Sequence, residues 1–252
     1  MGVTRKQAEN IASVLSEGMP YIQRFYGKII VVKYGGAAMS DVSLKKGFAR
    51  DIALMKLVGM KPVIVHGGGP QIAKELKKAG VTSHFNSGLR ITDESTMAVV
   101  KKVLGIKVND EISTLISKSG ALSKGLNFTN SKIVRASKLI GESGLDLGLV
   151  GKVDKINTRD IKNLISKDII PVISPIGLDK KSRCLNINAD LVAGKVAESL
   201  NAEKLILLTD VKGIKDDEGN LLSKISPAKA KKILKNGIVK GGMVPKLIAA
   251  LE

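Results

Sequence analysis

The chain has few of the residues from which metal sites and many catalytic sites are built. Its one cysteine, Cys184, excludes an internal disulfide and any zinc site made of cysteines. His66 and His84 are its only histidines, so histidine-rich metal chemistry is not expected and we predict no metal-ligating residues. Neither a Ser-His-Asp nor a Cys-His arrangement stands out.

Long apolar runs are also missing. No stretch approaches the roughly 18–20 apolar residues that span a bilayer, and residues 1–7 lack the apolar segment of a signal peptide. We therefore expect a soluble, intracellular protein with no membrane partner. Its predicted location is the cytoplasm or, if the gene is organellar, the plastid stroma.

Aromatic residues make up 3% of the chain and tryptophan is absent, although the formal net charge is +18. Of the 41 basic residues, 34 are lysines, and they are scattered over predicted helix faces. Because platforms for base stacking are missing and the charge is not gathered in one arm, nucleic-acid binding is not expected.

Two apolar strands that end in glycines are the dominant pattern. Residues 61–70 (KPVIVHGGGP) place a buried strand before three glycines and a helix start. Residues 28–38 (KIIVVKYGGAA) contain a second such strand, with Lys33 near its end. Turns without Cβ atoms let N–H groups approach an anion, and a cation between two such turns suits a phosphate group. Neither turn has the GxxxxGK[ST] or GxGxxG pattern.

Residues 4–26 carry apolar residues at helical spacing with Pro20 among them, which predicts an amphipathic helix kinked at Pro20. The apolar stripe of this helix could pack on its own domain or on a neighbouring subunit, and the sequence leaves both interpretations open.

Strands and helices alternate over the rest of the chain. Helices are predicted over 42–57 (with a cap at Asp41), 70–78, 94–118, 162–167, 191–200, 227–236 and from 243 onward, and strands over 169–174 and 204–210, with short strands and hairpins around 120–154. This alternation favours a three-layer α/β/α sandwich with a mainly parallel central sheet.

The polar residues near the glycine turns suit phosphoryl transfer. Lys33 and Lys246 would neutralise a transferred group, with Asp190 anchoring nearby cations. Because no histidine-type base stands out, a carboxylate, already ionised with a pKa of about 4.3, is favoured over an alcohol as the acceptor. Arg90 and Asn186 would hold its other polar groups. The plainer interpretations are a helix cap for Asp190 and a surface ion pair for Arg90.

Five motifs along essentially the whole chain resemble signatures of the amino acid kinase family, and within it those of the N-acetyl-L-glutamate kinases. They are 33–36 (KYGG), 66–72 (HGGGPQI), 88–93 (GLRITD), 186–190 (NINAD) and 241–246 (GGMVPK). The resemblance implies the fold of that family and ATP-dependent phosphorylation of the side-chain carboxylate of N-acetyl-L-glutamate, a step of arginine biosynthesis. It also implies Mg²⁺ as the companion of ATP.

The resemblance implies roles for individual positions. It makes Lys33, Lys246 and Asp190 catalytic, and its substrate contacts match Gly68, Gly69, Arg90 and Asn186. Its nucleotide contacts match Gly35, Gly36, Thr209, Asp210, Gly213 and Ile214.

The resemblance further divides the chain into an oligomerisation helix (1–26), an acetylglutamate-binding lobe (27–197) and an incomplete nucleotide-binding lobe (198–252). Residues 126–131 (LNFTNS) lack the Gly-Lys-Asp usual in the family. The chain ends in an apolar helical pattern with no C-cap, where the family continues, so a fragment or truncated product is expected.

In the family that this chain resembles, members with a kinked N-terminal helix form ring-shaped hexamers, which are trimers of dimers. Arginine inhibits these hexamers by feedback. Members without the helix are dimers. The resemblance therefore implies a homo-oligomer, here a hexamer, with Tyr21 and Lys195 beside an arginine site and a PII signalling protein as a further partner. Two alternative functions stay open. One is a kinase for a related acid, such as N-acetyl-aminoadipate or a carrier-protein-bound analogue, and the other is an inactive, truncated regulatory subunit.

Overall fold

The helices and strands alternate along the chain as the sequence predicts. In the computed structural model, which describes residues 3–86, 88–141, 144–216 and 218–252, they are α1 (Arg5–Phe25), β1 (Ile29–Tyr34), α2 (Val42–Leu57), β2 (Lys61–His66), α3 (Gly69–Lys78), β3 (Phe85–Asn86), β4 (Leu89–Arg90), α4 (Glu94–Lys102), α5 (Val108–Lys118), β5 (Ser123–Leu126), β6 (Val134–Ile140), β7 (Asp146–Ile156), α6 (Arg159–Ser166), β8 (Ile170–Ile173), β9 (Ile176–Leu178), β10 (Cys184–Asn186), α7 (Ala189–Leu200), β11 (Lys204–Leu207), α8 (Pro227–Lys235) and α9 (Met243–Leu251).

The central sheet is parallel, and its three middle strands, β1, β2 and β8, are buried on both faces. Its strand order is β11-β1-β2-β8-β5, and each neighbouring pair is parallel. Alternate residues of β1 and β2 belong to two different cores, one formed with α2 to α5 and the other with α6 and α7. This division follows from the two-residue period of a strand, and it confirms the predicted three layers.

The same alternation sends the two polar residues at the strand ends to opposite faces. Lys33 shares its face of β1 with Val31, whose core includes α7, whereas His66 shares its face of β2 with Ile64, whose core includes α5. Lys33 lies beside Val65 in the register of the two strands. At the carboxyl ends of the parallel strands, a lysine therefore faces the layer that contains α7, and a histidine faces the layer that contains α5.

A smaller four-stranded sheet, with the closed order β10-β7-β6-β9, and a β3–β4 hairpin stand beside the central sheet. The antiparallel pair β6–β7 confirms the hairpin predicted near residues 120–154. The closed arrangement itself was not predicted, because its pairs include residues far apart in sequence, such as Asn186 and Val150.

The helix predicted over 94–118 is wrong in its middle, where Val103–Lys107 is π-helical. A Cβ added at Gly105 would lie 2.3 Å from the Phe128 ring, so the absent side chain makes room for that contact. Strand β11 ends at Leu207 instead of at the predicted residue 210, so Thr209 and Asp210 lie in the following loop.

Helix α1 lies largely on the surface of the chain. Thr4 caps it by accepting a hydrogen bond from the Gln7 N–H, and the helix continues through Pro20. None of its described residues is buried, and Val14 and Leu15 are 68% and 60% exposed. At the end of the helix Phe25 packs against the core, so both interpretations of the apolar stripe stay predictions. Among the described residues, no helix is both long and apolar enough to cross a membrane.

Candidate active site

A buried carboxylate between two ammonium groups forms the centre of the site. The Lys33 Nζ lies 3.2 Å from one carboxylate oxygen of Asp190, and the Lys246 Nζ lies 2.8 Å from the other. Lys33 and Asp190 are only 7% and 5% exposed. The structure thus brings together three residues from β1, α7 and α9, as predicted.

Local structure explains where these three side chains lie. Lys33 points from β1 toward the α7 layer, and Asp190 occupies the first turn of that helix. The N-terminus of a helix carries partial positive charge, which stabilises a carboxylate there. Asn188 caps α7 by accepting from the Asp190 N–H at 2.8 Å. Asn188 thus supports the helix, and it also lines the cavity.

The three charges leave the centre with an excess of one positive charge. Burial lowers the pKa of Lys33 from its ordinary value, the Asp190 carboxylate opposes that effect, and the charge of Lys246 adds to it. A multiply charged anion would relieve the repulsion between the two ammonium groups. The centre is therefore suited to a phosphate group.

Both glycine turns border a cavity of about 530 Å³ next to this centre. Gly68 has φ 155°, and a Cβ there would lie 2.4 Å from the Leu104 side chain, so glycine is required. Helix α3 begins at Gly69, and the first N–H groups of a helix have no partner within it. These N–H groups offer donors to an anion in the cavity.

The second glycine turn brings the loop after β11 close to the cavity. Gly36 has φ 73°, and a Cβ there would lie 2.3 Å from Asp210 Oδ1. Asp210 also acts on the Lys33 pKa, which its charge raises. The structure therefore places Gly35 and Gly36 along the cavity and one member of the predicted nucleotide loop beside them.

Arg90 reaches the same cavity from the β3–β4 hairpin. Its guanidinium donates to the Ser83 hydroxyl and to the Gly69 carbonyl, and its Cζ lies 4.5 Å from the centre of the Phe85 ring. Burial lowers the Arg90 pKa. With no acidic partner among the described residues, Arg90 is not the surface ion pair that the plainer interpretation offers. A guanidinium held in this way suits a ligand carboxylate.

Asn186 lines the cavity at the end of β10. Its Nδ2 donates to the Thr92 hydroxyl at 3.1 Å, and Thr92 in turn donates to the Arg90 carbonyl at 2.7 Å. The amide oxygen of Asn186 is an acceptor that a ligand N–H group can use. Arg90 and Asn186 are thus linked through one buried threonine, a connection that the sequence did not indicate.

Comparison with known proteins identifies the family of the chain. The model of the amino acid kinase family matches residues 28–252. The chain belongs to this family. An acetylglutamate kinase of Hydrogenovibrio crunogenus is 50% identical to it, over 100% of this chain and 88% of that protein.

Solved structures show the same fold of the amino acid kinase family. Two are of N-acetylglutamate synthase from Neisseria gonorrhoeae. The one in complex with coenzyme A and N-acetyl-glutamate is 24% identical with a TM-score of 0.82, over 95% of this chain and 55% of that one. The one with coenzyme A and L-arginine is 22% identical with a TM-score of 0.76, over 95% and 56% of the two chains.

The residues of the loop after β11 that the family resemblance predicts do not line the cavity. Thr209 and Asp210 are exposed, Gly213 has φ 149°, and Ile214 packs in a small core with α8 and α9. None of these four is among the described residues that line the cavity. Their nucleotide contacts therefore stay a prediction.

The predicted arginine-site residues are on the surface. Tyr21 is 65% exposed on α1, and Lys195 on α7 forms ion pairs with Glu198 and Glu252 at 3.0 and 3.2 Å. The hydrogen bond with Glu198 is the largest of the effects that raise the Lys195 pKa. Their role stays a prediction too.

The segment 126–131, which departs from the family pattern, forms a closed turn. Asn127 Oδ1 accepts from the Thr129 N–H, and Asn130 donates to the Gly125 carbonyl. The segment does not line the cavity in the described part of the chain. The missing Gly-Lys-Asp therefore leaves the lysine–aspartate centre intact.

Sequence reasoning missed several residues that shape the site. Ser83 and Phe85 surround the Arg90 guanidinium, and Thr92 links it to Asn186. The position of Phe85 just before the predicted Arg90 turn is the one signal that could have found it. Among the described residues, no group of three or more His, Cys, Asp or Glu side chains is placed to hold a metal ion.

Proposed function

We propose that the chain transfers the γ-phosphoryl group of ATP to the side-chain carboxylate of N-acetyl-L-glutamate, forming an acyl phosphate. The buried Lys33–Asp190–Lys246 centre beside the cavity carries this proposal. Phosphoryl transfer depends on positioning and on neutralising charge, and two lysines held by one carboxylate supply both. The acetylglutamate kinase at 50% identity supports this acceptor over longer acids.

The acceptor needs no base from the protein. A carboxylate with a pKa of about 4.3 is already ionised at neutral pH. Asp190 is the only acid among the described residues that line the cavity, and both of its oxygens face lysines. Asp190 therefore orients cations and does not remove a proton.

The other polar groups of N-acetyl-L-glutamate match Arg90 and Asn186. The guanidinium of Arg90 would bind the α-carboxylate with its planar fork, and the amide oxygen of Asn186 would accept from the acetamido N–H. The N–H groups of Gly68 and Gly69 would face the reacting groups. The side-chain carboxylate would then point toward Lys33 and Lys246.

ATP would approach from the side of Gly35, Gly36 and the loop after β11, with Thr209, Asp210, Gly213 and Ile214 in the nucleotide lobe. In this assignment residues 27–197 bind acetylglutamate and 198–252 bind nucleotide. The described residues hold no acidic cluster for a metal, so Mg²⁺ would be carried by the ATP phosphates.

Trapping with hydroxylamine tests the proposed reaction. The acyl phosphate product reacts with hydroxylamine to a hydroxamate, which is measured with ferric ion after incubation with ATP, Mg²⁺ and N-acetyl-L-glutamate. We expect a signal that depends on both substrates and that falls in the Lys33→Ala variant. Lys45→Ala is the matched control, because Lys45 forms an ion pair with Glu111 outside the cavity. Nucleotide binding without hydroxamate would contradict the proposal and favour a regulatory subunit.

The exposed apolar face of α1 supports a proposal for the assembly. We assign this face to a neighbouring copy, in a hexamer built as a trimer of dimers, with a dimer as the smaller unit. Tyr21 and Lys195 would lie beside a feedback site for arginine, as the amino acid's presence in the related synthase structure suggests. We further propose that a PII signalling protein binds this assembly and that the protein is located in the cytoplasm.

A further inference from the structure

His66 is a buried polar side chain that the proposed reaction does not use. It ends β2 immediately before the three glycines, and it is 0% exposed. Its Nδ1 lies 2.8 Å from the Gly67 carbonyl oxygen, and its Nε2 lies 3.1 Å from Asn109 Nδ2 on α5. Both ring nitrogens are therefore engaged, in a position next to the anion-binding turn.

These contacts define one tautomer. A carbonyl oxygen can only accept, so Nδ1 must carry the hydrogen. Asn109 Nδ2 also lies 2.9 Å from the Val172 carbonyl, which identifies this atom as the amide nitrogen, so Nε2 must accept from it. Burial lowers the His66 pKa to about 4, which keeps the ring neutral at neutral pH.

The hydrogen bond from His66 acts on the peptide between Gly67 and Gly68. The Gly67 N–H donates to the Tyr34 carbonyl at 2.7 Å, and the Gly67 carbonyl accepts from His66, so the residue is held on both sides. The described chain contains no cis peptide bonds, and in a trans peptide the N–H points away from the C=O. With the Gly67 carbonyl aimed at the buried ring, the Gly68 N–H points the opposite way, and Gly68 itself borders the cavity. A flipped peptide would instead turn a carbonyl oxygen toward the phosphoryl group.

We infer that His66 is a positioning residue that orients the Gly68 N–H toward the transferred phosphoryl group, with Asn109 selecting its tautomer. The inference rests on the proposed function for what the N–H binds. Removing one preorganised donor to a transition state typically lowers kcat by about 10²–10³. Because the donor here would be misaligned and not removed, we expect a decrease of about tenfold or more.

Two amide variants separate this role from ordinary core packing. In His66→Asn the side-chain NH₂ lies near the position of Nδ1 and can still donate to Gly67. In His66→Gln it lies near Nε2 and cannot. We expect His66→Asn to keep kcat within a few-fold of the native chain, and His66→Gln to lose about tenfold or more, with similar KM values for ATP and N-acetyl-L-glutamate. Equal kcat losses in both variants, or a loss confined to KM, would overturn the inference.

Nuclear magnetic resonance of the native chain gives a test that needs no variant to fold. With ¹⁵N-labelled histidine only two rings are visible, His66 and His84, and His84 is exposed. A His84→Gln variant assigns them. We expect His66 to be the Nδ1–H tautomer and not to titrate near neutral pH. An Nε2–H tautomer, or titration near the ordinary pKa, would overturn the inference. A native chain that has this tautomer but forms no hydroxamate would contradict only the proposed function.

Discussion

Replacing Asp190 with asparagine tests whether the buried carboxylate holds both lysines in the state that phosphoryl transfer requires. The substitution keeps the shape of the side chain and removes its charge. Lys33 and Lys246, at 3.2 and 2.8 Å from the carboxylate oxygens, would then face each other's charge with no acid between them. Both the stability of the fold and the rate of transfer should suffer.

The expected loss of stability is large because the pair is shielded from water. At 3.2 Å and an effective dielectric constant of about 20, the attraction between Lys33 and Asp190 is about 5 kcal/mol. Part of this is offset because the Asp190 charge no longer has to be desolvated. Breaking a buried ion pair generally costs about 3–5 kcal/mol, so the free energy of unfolding should fall by about 3 kcal/mol or more. Loss of the charge arrangement should lower kcat by about 10²–10³.

The variant should also respond differently to pH. Burial lowers the Lys33 pKa below its ordinary value of 10.5, and the Asp190 charge is the largest effect opposing it. Between the lowered pKa and 10.5 the unfolded chain binds more protons than the folded chain, so stability rises with pH over that interval. Without Asp190 the interval begins at a lower pH. We also expect kcat to decrease at alkaline pH as Lys33 loses its proton, and this decrease should begin at a lower pH in the variant.

Urea unfolding and the pH profile of kcat, from neutral to alkaline pH, measure these effects. Asp179→Asn is the matched control, because Asp179 is a buried carboxylate that pairs with Arg183 Nε at 2.8 Å and does not line the cavity. The control should lose stability and keep its kcat. The reasoning would be refuted if the Asp190→Asn chain folded, kept kcat within a few-fold of the native value, and showed the same decrease of kcat at alkaline pH as the native chain.

Three further predictions concern the lysines, the substrate and the assembly. Lys33→Ala and Lys246→Ala should each lower kcat by about 100-fold with little change in KM, because the lysines act on charge that develops in the transition state; steady-state kinetics would contradict this if only KM rose. Arg90→Lys keeps the charge and loses the fork, so it should raise KM for N-acetyl-L-glutamate about tenfold and leave ATP affinity unchanged in titration calorimetry. An equal loss for both ligands would make Arg90 structural. Deleting residues 1–26 should yield dimers by light scattering with activity kept, since no described residue of α1 is buried; a hexamer after the deletion would show that α1 does not join subunits.

The sequence by itself determined the order of the elements and the chemistry of the centre. The apolar, β-branched stretches of β1 and β2 are buried on both faces as expected, and Asp41 caps α2 by accepting from the Leu44 N–H. These features depend on neighbours within a few residues. Lys33 and Asp190 could also be proposed as site residues, because Lys33 lies near the end of a buried strand and Asp190 at the start of a helix.

Only the tertiary structure decided which side chains meet. Some features could not be predicted because they depend on elements that are distant in the sequence. They are the pairing of His66 with Asn109, the contact of Phe85 with Arg90 and the exposure of the apolar face of α1. The π-helical turn at Val103–Lys107 belongs here too, since Gly105 within it lies against the ring of Phe128, which is distant in the sequence. A residue's own pattern predicts its helix or strand, whereas its partners depend on how the layers close around the sheet. For that reason the two lysines could be proposed from the sequence. The distances at which both of them contact the carboxylate of Asp190 were known only from the tertiary structure.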